Sequence, residues 1–110
     1  MAKFRESFKK RADFLRLKDC GASFVARFFI ANAAPAREIP ARYGITASLS
    51  TFDNSVKRNR ARRLMREWLR LEADALDPGK DYSFVLRAAI LNAKREEGVK
   101  ELKKVLEKLI

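Results

Sequence analysis

The sequence contains no histidine, a single cysteine, three prolines and four glycines. Each scarcity removes a class of chemistry. Without histidine, Ser-His and Cys-His nucleophile pairs are excluded. Cys20 stands alone, so neither an intrachain disulfide nor a cysteine-based metal site can be assembled. It fits a partly buried small hydrophobe in a reducing compartment. So few glycines leave no Gly-rich phosphate loop, and the acidic residues form no D-x-D metal pattern. The polypeptide alone is not expected to be catalytic: no catalytic residue and no metal-ligating set is assigned within it.

Long apolar runs are also missing. The stretch FFIANAAPA is interrupted by Asn32 and Pro35 and is too short to span a bilayer. The start, MAKFRESFKKR, lacks the apolar segment of a secretory signal. These features predict a soluble, cytoplasmic protein with no membrane partner. Nothing marks an obligate protein partner.

What is abundant is positive charge. Lysine and arginine number 25 against 14 acidic residues, a net charge of +11 on 110 residues. Self-repulsion of that size disfavours a compact state unless a polyanion relieves it. Nucleic acid is the first candidate and an anionic membrane surface the second. The chain is 47% hydrophobic with eight phenylalanines, enough for one core, and residues 1–110 read as a single nucleic-acid-binding domain.

Along the chain, RADFLRLKD (11–19) reads as a short helix with Gly21 as its C-terminal cap. SFVARFFIA (23–31) reads as one strand, and NAAPAREIP (32–40), with its two prolines, as a loop. ARYGITASLS (41–50) alternates, placing Tyr43, Ile45, Ala47 and Leu49 on one face. LDPGKD (76–81) is a turn, and DYSFVLRAA (81–89) is a strand turning Tyr82, Phe84 and Leu86 inward. Val99, Leu102, Val105, Leu106 and Leu109 recur with helical spacing at the C-terminus. The order of helix, strands, basic helix, strand and helix predicts an α+β sandwich.

The basic helix is the segment NSVKRNRARRLMREWLR, 54–70. Asn54 or Ser55 can cap its start. Ala61, Leu64, Met65, Trp68 and Leu71 cover one arc and predict the packed face. Arg58, Arg62, Arg66 and Arg70 follow one another at i, i+4 spacing, flanked by Asn59 and Arg63. Each like-charged pair at that spacing costs roughly 0.2–0.5 kcal/mol, and Glu67 and Glu72 are too few to offset the row. Most charged helix faces are simply solvated, but those mix signs and this one does not. Arginine's planar fork holds two phosphate oxygens or stacks on a base, where lysine offers a point charge. Asn59 can both donate to and accept from a ribose or base edge. The pattern points to the phosphates of a nucleic acid.

Here the residues become specific. VKRNRARRLMRE (56–67), with RYGITAS before it and DYSFVLRA after it, resembles the protein subunit of bacterial ribonuclease P. Arg58, Asn59 and Arg60 match that family's Arg-Asn-Arg signature, and Asp13-Phe14 within KKRADFLRL match an Asp-Phe pair. The resemblance spans nearly the whole chain. It implies an α-β-β-β-α-β-α sandwich like a ribosomal-protein S5 domain, with a left-handed βαβ crossover that runs against the usual rule. It implies a protein that binds ribonuclease P RNA and the 5′ leader of precursor tRNA, promoting endonucleolytic removal of the leader. The active site would lie in the RNA, with Mg2+ held mainly by that RNA. By the same resemblance Lys57, Arg58, Asn59, Arg60, Arg62, Arg63, Arg66 and Arg70 meet the RNA. Phe14, Arg27, Phe29, Arg42 and Tyr43 would line a leader cleft between the sheet and the first helix. Phe29 fits a core position equally well, and Arg27 and Arg87 fit strand residues that merely point outward. Trp68 shares an arc with Leu64 and reads as core. Where the family often has Ser-Lys-Lys-x-Gly before the basic helix, this chain has SLSTFDN, one residue longer and carrying Asp53.

Two other functions fit parts of the pattern. A ribosomal-type or other structured-RNA-binding protein would share the basic helix without needing the Asp-Phe pair. A DNA-binding protein would read the major groove with residues 56–70, but strand-like alternation precedes that helix where a helix-turn-helix partner belongs. A self-sufficient nuclease lacks the acid, base or metal constellation it needs.

Overall fold

β3 (Phe29–Pro35) and β5 (Lys80–Leu86) run antiparallel through the middle of a five-stranded sheet. The computed structural model describes residues 4–6, 22–36, 41–77 and 79–109. The other strands are β1 (Phe4–Glu6), β2 (Ala22–Val25) and β4 (Ala41–Thr46), giving the spatial order β1-β4-β5-β3-β2. β2 pairs antiparallel with β3, whereas β4 is parallel to both β1 and β5. The parallel β4–β5 pair requires a crossover, and the basic helix α1 (Ser55–Leu71) supplies it. Short 3-10 turns at Ala73–Ala75 and Ala88–Asn92 flank β5, and α2 (Arg95–Lys108) closes the described chain. The expected α+β class and the order β-β-β-α-β-α are found, with β1 as an additional strand. The helix predicted over 11–19, with Cys20 and Gly21, lies outside the described residues.

Both helices share one core with one face of the sheet. Phe29, Ala31 and Ala33 of β3 and Tyr82, Phe84 and Leu86 of β5 are buried with Ala61, Met65, Trp68 and Leu69 of α1. Leu102, Val105 and Leu106 of α2 complete the cluster. Aromatic rings meet at favourable angles: Phe29 stands edge-on to Phe84 at 5.8 Å, and Phe28 is tilted against Trp68 at the same separation. Trp68 is core, as its spacing predicted.

The structure corrects four boundaries. The single strand predicted over 23–31 is a hairpin, broken at Ala26–Phe28 between β2 and β3. Its turn carries no glycine or proline; instead, distant groups hold it. Arg87 donates from its backbone N to the Phe28 carbonyl (2.9 Å) and from its guanidinium to the Ala26 carbonyl (2.7 Å). Glu101 of α2 accepts from the Phe28 N–H at 2.9 Å. The loop predicted over 32–40 begins late, because Asn32 to Pro35 continue β3. Pro35 can occupy the last strand position because it lies beyond the reach of β2, which ends opposite Ala33.

Leu49, predicted to face inward, is 71% exposed, since β4 ends at Thr46 and residues 48–51 turn. The Ser48 carbonyl accepts from Phe52 N, and Phe52, 1% exposed, is the apolar anchor that follows the turn. On α1, Leu71 is 48% exposed while Leu69 is buried. A change of two positions turns a helix by about 200°, so the arc ends earlier than the sequence pattern indicated.

Candidate RNA-binding site

α1 starts where Asn54 caps it, its side-chain oxygen accepting from Lys57 N at 2.9 Å. No acidic residue occupies the first turn, where Lys57 and Arg58 sit instead. Cations there oppose the helix dipole and gain only if an anion arrives. Asn59, Arg60, Arg63, Arg66 and Arg70 are exposed. Val56, Asn59, Arg60, Arg62, Arg63 and Arg66 line one open hollow on this surface. Glu67, the acidic residue within the helix, is turned aside to Arg95 of α2, with Nε to Oε1 at 3.2 Å. It does not neutralise the basic face.

The predicted row is not uniform. Arg58 lies seven positions from buried Met65, two turns along the same side, and is only partly exposed. Its Nη1 donates to the Phe52 carbonyl at 3.1 Å, tying the helix start to the preceding turn. Arg62 is also partly buried. Lys57 pairs with Asp53 at 3.0 Å, and that ammonium holds the Asp53 carboxyl below the usual carboxylate range, by hydrogen bond first and charge second. The exposed charge therefore centres on Arg60, Arg63, Arg66 and Arg70, with Arg58 serving as an anchor. Helical periodicity carried this signal, but ranking by a simple i, i+4 row hid the drift toward the packed side.

The described residues among those expected in a leader cleft fall on different faces. Phe14 lies outside the described residues. Phe29 is 0% exposed inside the core and is withdrawn as a leader contact. Tyr43 is in register with Tyr82 and packs against that same core. Arg27 sits at the β2–β3 turn, its guanidinium 5.1 Å from the Phe28 ring and 3.8 Å from Glu97. Arg42 alone of the described set lies on the opposite sheet face. There its N–H donates to Asp81 Oδ1 at 2.8 Å, and its guanidinium stands 3.9 Å from Oδ2. Asn32 and Ser83, opposite one another in the ladder, share that face and are buried with Asp81. The sequence signal for this polar surface was alternation of Asp81 and Ser83 against Tyr82 and Phe84. Arg87 is exposed, in line with its outward reading, and also holds the hairpin turn.

Among the described residues no group of three or more His, Cys, Asp or Glu is placed to hold a metal ion. No helix among them is long and apolar enough to cross a membrane.

Comparison with known proteins identifies the arrangement. The ribonuclease P family model matches residues 2–110. The chain is 33% identical over 105 residues to the ribonuclease P protein component of Desulforapulum autotrophicum, covering 96% of this chain and 89% of that one. It is 35% identical to the Herpetosiphon aurantiacus protein component over 77% of this chain and 68% of that one. Among solved structures, the Staphylococcus aureus RNase P protein superposes with a TM-score of 0.76 at 28% identity, covering 94% and 93%. The Thermotoga maritima RNase P protein shares the fold with a TM-score of 0.80 at 21% identity, covering 96% and 99%. With the family model matching residues 2–110 and a 33% identical relative covered over 89% of its length, this chain belongs to the ribonuclease P protein family.

Proposed function

We propose that the chain serves its endoribonuclease by binding ribonuclease P RNA through the exposed basic face of α1 and by helping to hold precursor tRNA. The observation that carries this is the single-sign surface from Asn59 to Arg70, whose one acidic neighbour, Glu67, is engaged by Arg95. Each phosphate met by an arginine releases condensed counterions, so binding strengthens steeply as salt falls. The active site belongs to the RNA, and the Mg2+ held there supplies the water-activating chemistry of phosphodiester hydrolysis. The protein's part is electrostatic: its cations let two polyanions approach, which lowers the metal concentration the complex needs.

Cleavage of precursor tRNA by a bacterial ribonuclease P RNA at limiting Mg2+, with and without the protein, tests the proposal. Stimulation by the protein supports it. Equal rates, or binding that prefers duplex DNA over the RNA in competition, refute it.

A further inference from the structure

Val56 is 75% exposed in the first turn of α1 and lines the hollow on its basic surface. It stands nine positions before Met65, half a turn away from the buried pole of α1. Its helical neighbours at i+3, i+4 and i+7 are Asn59, Arg60 and Arg63, which line the same hollow.

A lone exposed apolar side chain is ordinary on a protein surface. Its company sets this one apart. A surface meeting only phosphates gains nothing from a valine among its cations. Nor does it use the carbonyl of Asn59, since phosphate accepts hydrogen bonds and does not donate them. A nucleobase satisfies both, having an apolar face and an edge that mixes donors with acceptors. In a regular RNA duplex the face is stacked and the deep groove hides the edge, whereas an unpaired nucleotide offers both. The flanking guanidiniums suit its two phosphates, or its ring.

We infer that this hollow seats one unpaired nucleobase of the RNA partner, its face on Val56, its edge read by Asn59, and its flanking phosphates met by Arg60 and Arg63. This rests on the RNA-binding role proposed above and adds that α1 recognises an irregular site, not merely a run of phosphates.

The test compares the parent with Val56→Ala and Arg63→Ala for binding to a bacterial ribonuclease P RNA across a monovalent-salt series. Base accessibility is probed with dimethyl sulfate and a carbodiimide, which together report all four bases. Val56→Ala should weaken binding about tenfold, the size expected for uncovering two methyl groups. The slope of log affinity against log salt should not change, and one base protected by the parent should become reactive. Arg63→Ala should instead reduce that slope by about one. Alanine is the better helix former and the site is exposed, so Val56→Ala should fold, as a thermal melt will verify. Parent-like binding by Val56→Ala, a loss accompanied by a shallower slope, or no change in any base's reactivity each overturns the inference while leaving the RNA-binding role intact. A parent that ignores the RNA at modest ionic strength removes both.

Discussion

Gly98 of α2 lies directly against the indole of Trp68 on α1, so close that a methyl group there would collide with the ring carbons Cζ2 and Cη2. Trp68 is fully buried and braced by Phe28, so it has nowhere to retreat. Gly98→Ala gains up to about 1 kcal/mol of helix propensity, yet overpacking a core costs typically about 1–3 kcal/mol. Net destabilisation of about 1–2 kcal/mol is expected, read as a lowered Tm. Trp68→Phe combined with Gly98→Ala should cost less than the two single changes added, because the smaller ring makes room for the methyl.

Arg58 and Arg63, both assigned to RNA from the sequence, should separate experimentally. Arg58→Ala removes the donor that reaches the Phe52 carbonyl, so it should cost about 1 kcal/mol of stability as well as RNA affinity. Arg63 is exposed, and Arg63→Ala should leave the melt within about 0.5 kcal/mol of the parent. Thermal melts beside salt-titrated RNA binding decide it: equal melting of both variants would remove the anchoring role of Arg58.

How much the sequence disclosed follows from how local each determinant is. Asn54 caps α1 through its own side chain, and Tyr82, Phe84 and Leu86 alternate within one strand, so both were readable in short windows. The β2–β3 turn was not, because its residues are apolar and its fixing groups, Arg87 and Glu101, lie far along the chain. Leu49 misled for a similar reason: alternation continues past Thr46, but the ladder with β5 does not. For Phe29 the two strand faces were indistinguishable until pairing with Leu86 fixed the register and placed it in the core. The basic face of α1 was legible as charge. Its division between anchor and exposed cation required the three-dimensional position of Phe52.

Asp53 holds one of the cations proposed to meet the RNA. Its carboxylate holds Lys57 Nζ at 3.0 Å, and the bond keeps the Asp53 pKa depressed. Asp53→Asn should therefore raise RNA affinity a few-fold at neutral pH and steepen the salt slope by up to about one unit. The sign follows from the depressed pKa: the pairing persists above the ordinary carboxylate range and is lost as pH falls through the lowered value. Parent and variant should then converge in acid. Affinities measured across pH at fixed salt check this, and a constant gap between the two proteins would contradict it.

Arg42 must be assessed as a structural residue before any leader contact is ascribed to it. It donates to the fully buried Asp81 carboxylate from its main chain and approaches it with its guanidinium. Arg42→Ala keeps the first bond but strips the nearby positive charge from a desolvated anion. Removing one member of a buried ion pair is destabilising, so a lowered Tm is expected. Asp81→Asn with Arg42→Ala removes that charge as well and should recover part of the stability. A leader-specific role for Arg42 requires that ribonuclease P RNA assembled with the folded double variant still cleave long-leader precursor more slowly than short-leader precursor, relative to the parent complex. A double variant as unstable as Arg42→Ala alone would refute the charge argument.

Tyr82 makes the alkaline limb of stability informative. Its hydroxyl oxygen accepts from Asp77 N at 2.9 Å, and burial pushes the phenol above its ordinary pKa, with the Asp77 charge adding to the rise. A raised folded pKa means the folded state holds its proton longer than the unfolded chain does. The associated stability is complete below the usual tyrosine value and is lost as pH climbs through the folded one. Tyr82→Phe forfeits the hydrogen bond, so at neutral pH it should be less stable by about 1 kcal/mol. Having no phenol to ionise, it should lose less stability than the parent as pH rises above about 10. The gap between the two should narrow on the alkaline side. Denaturant unfolding at stepped pH, with tyrosinate absorbance to locate the ionisation, measures both effects, and a gap that widens with pH would show that the phenol is not held in its neutral form by the fold.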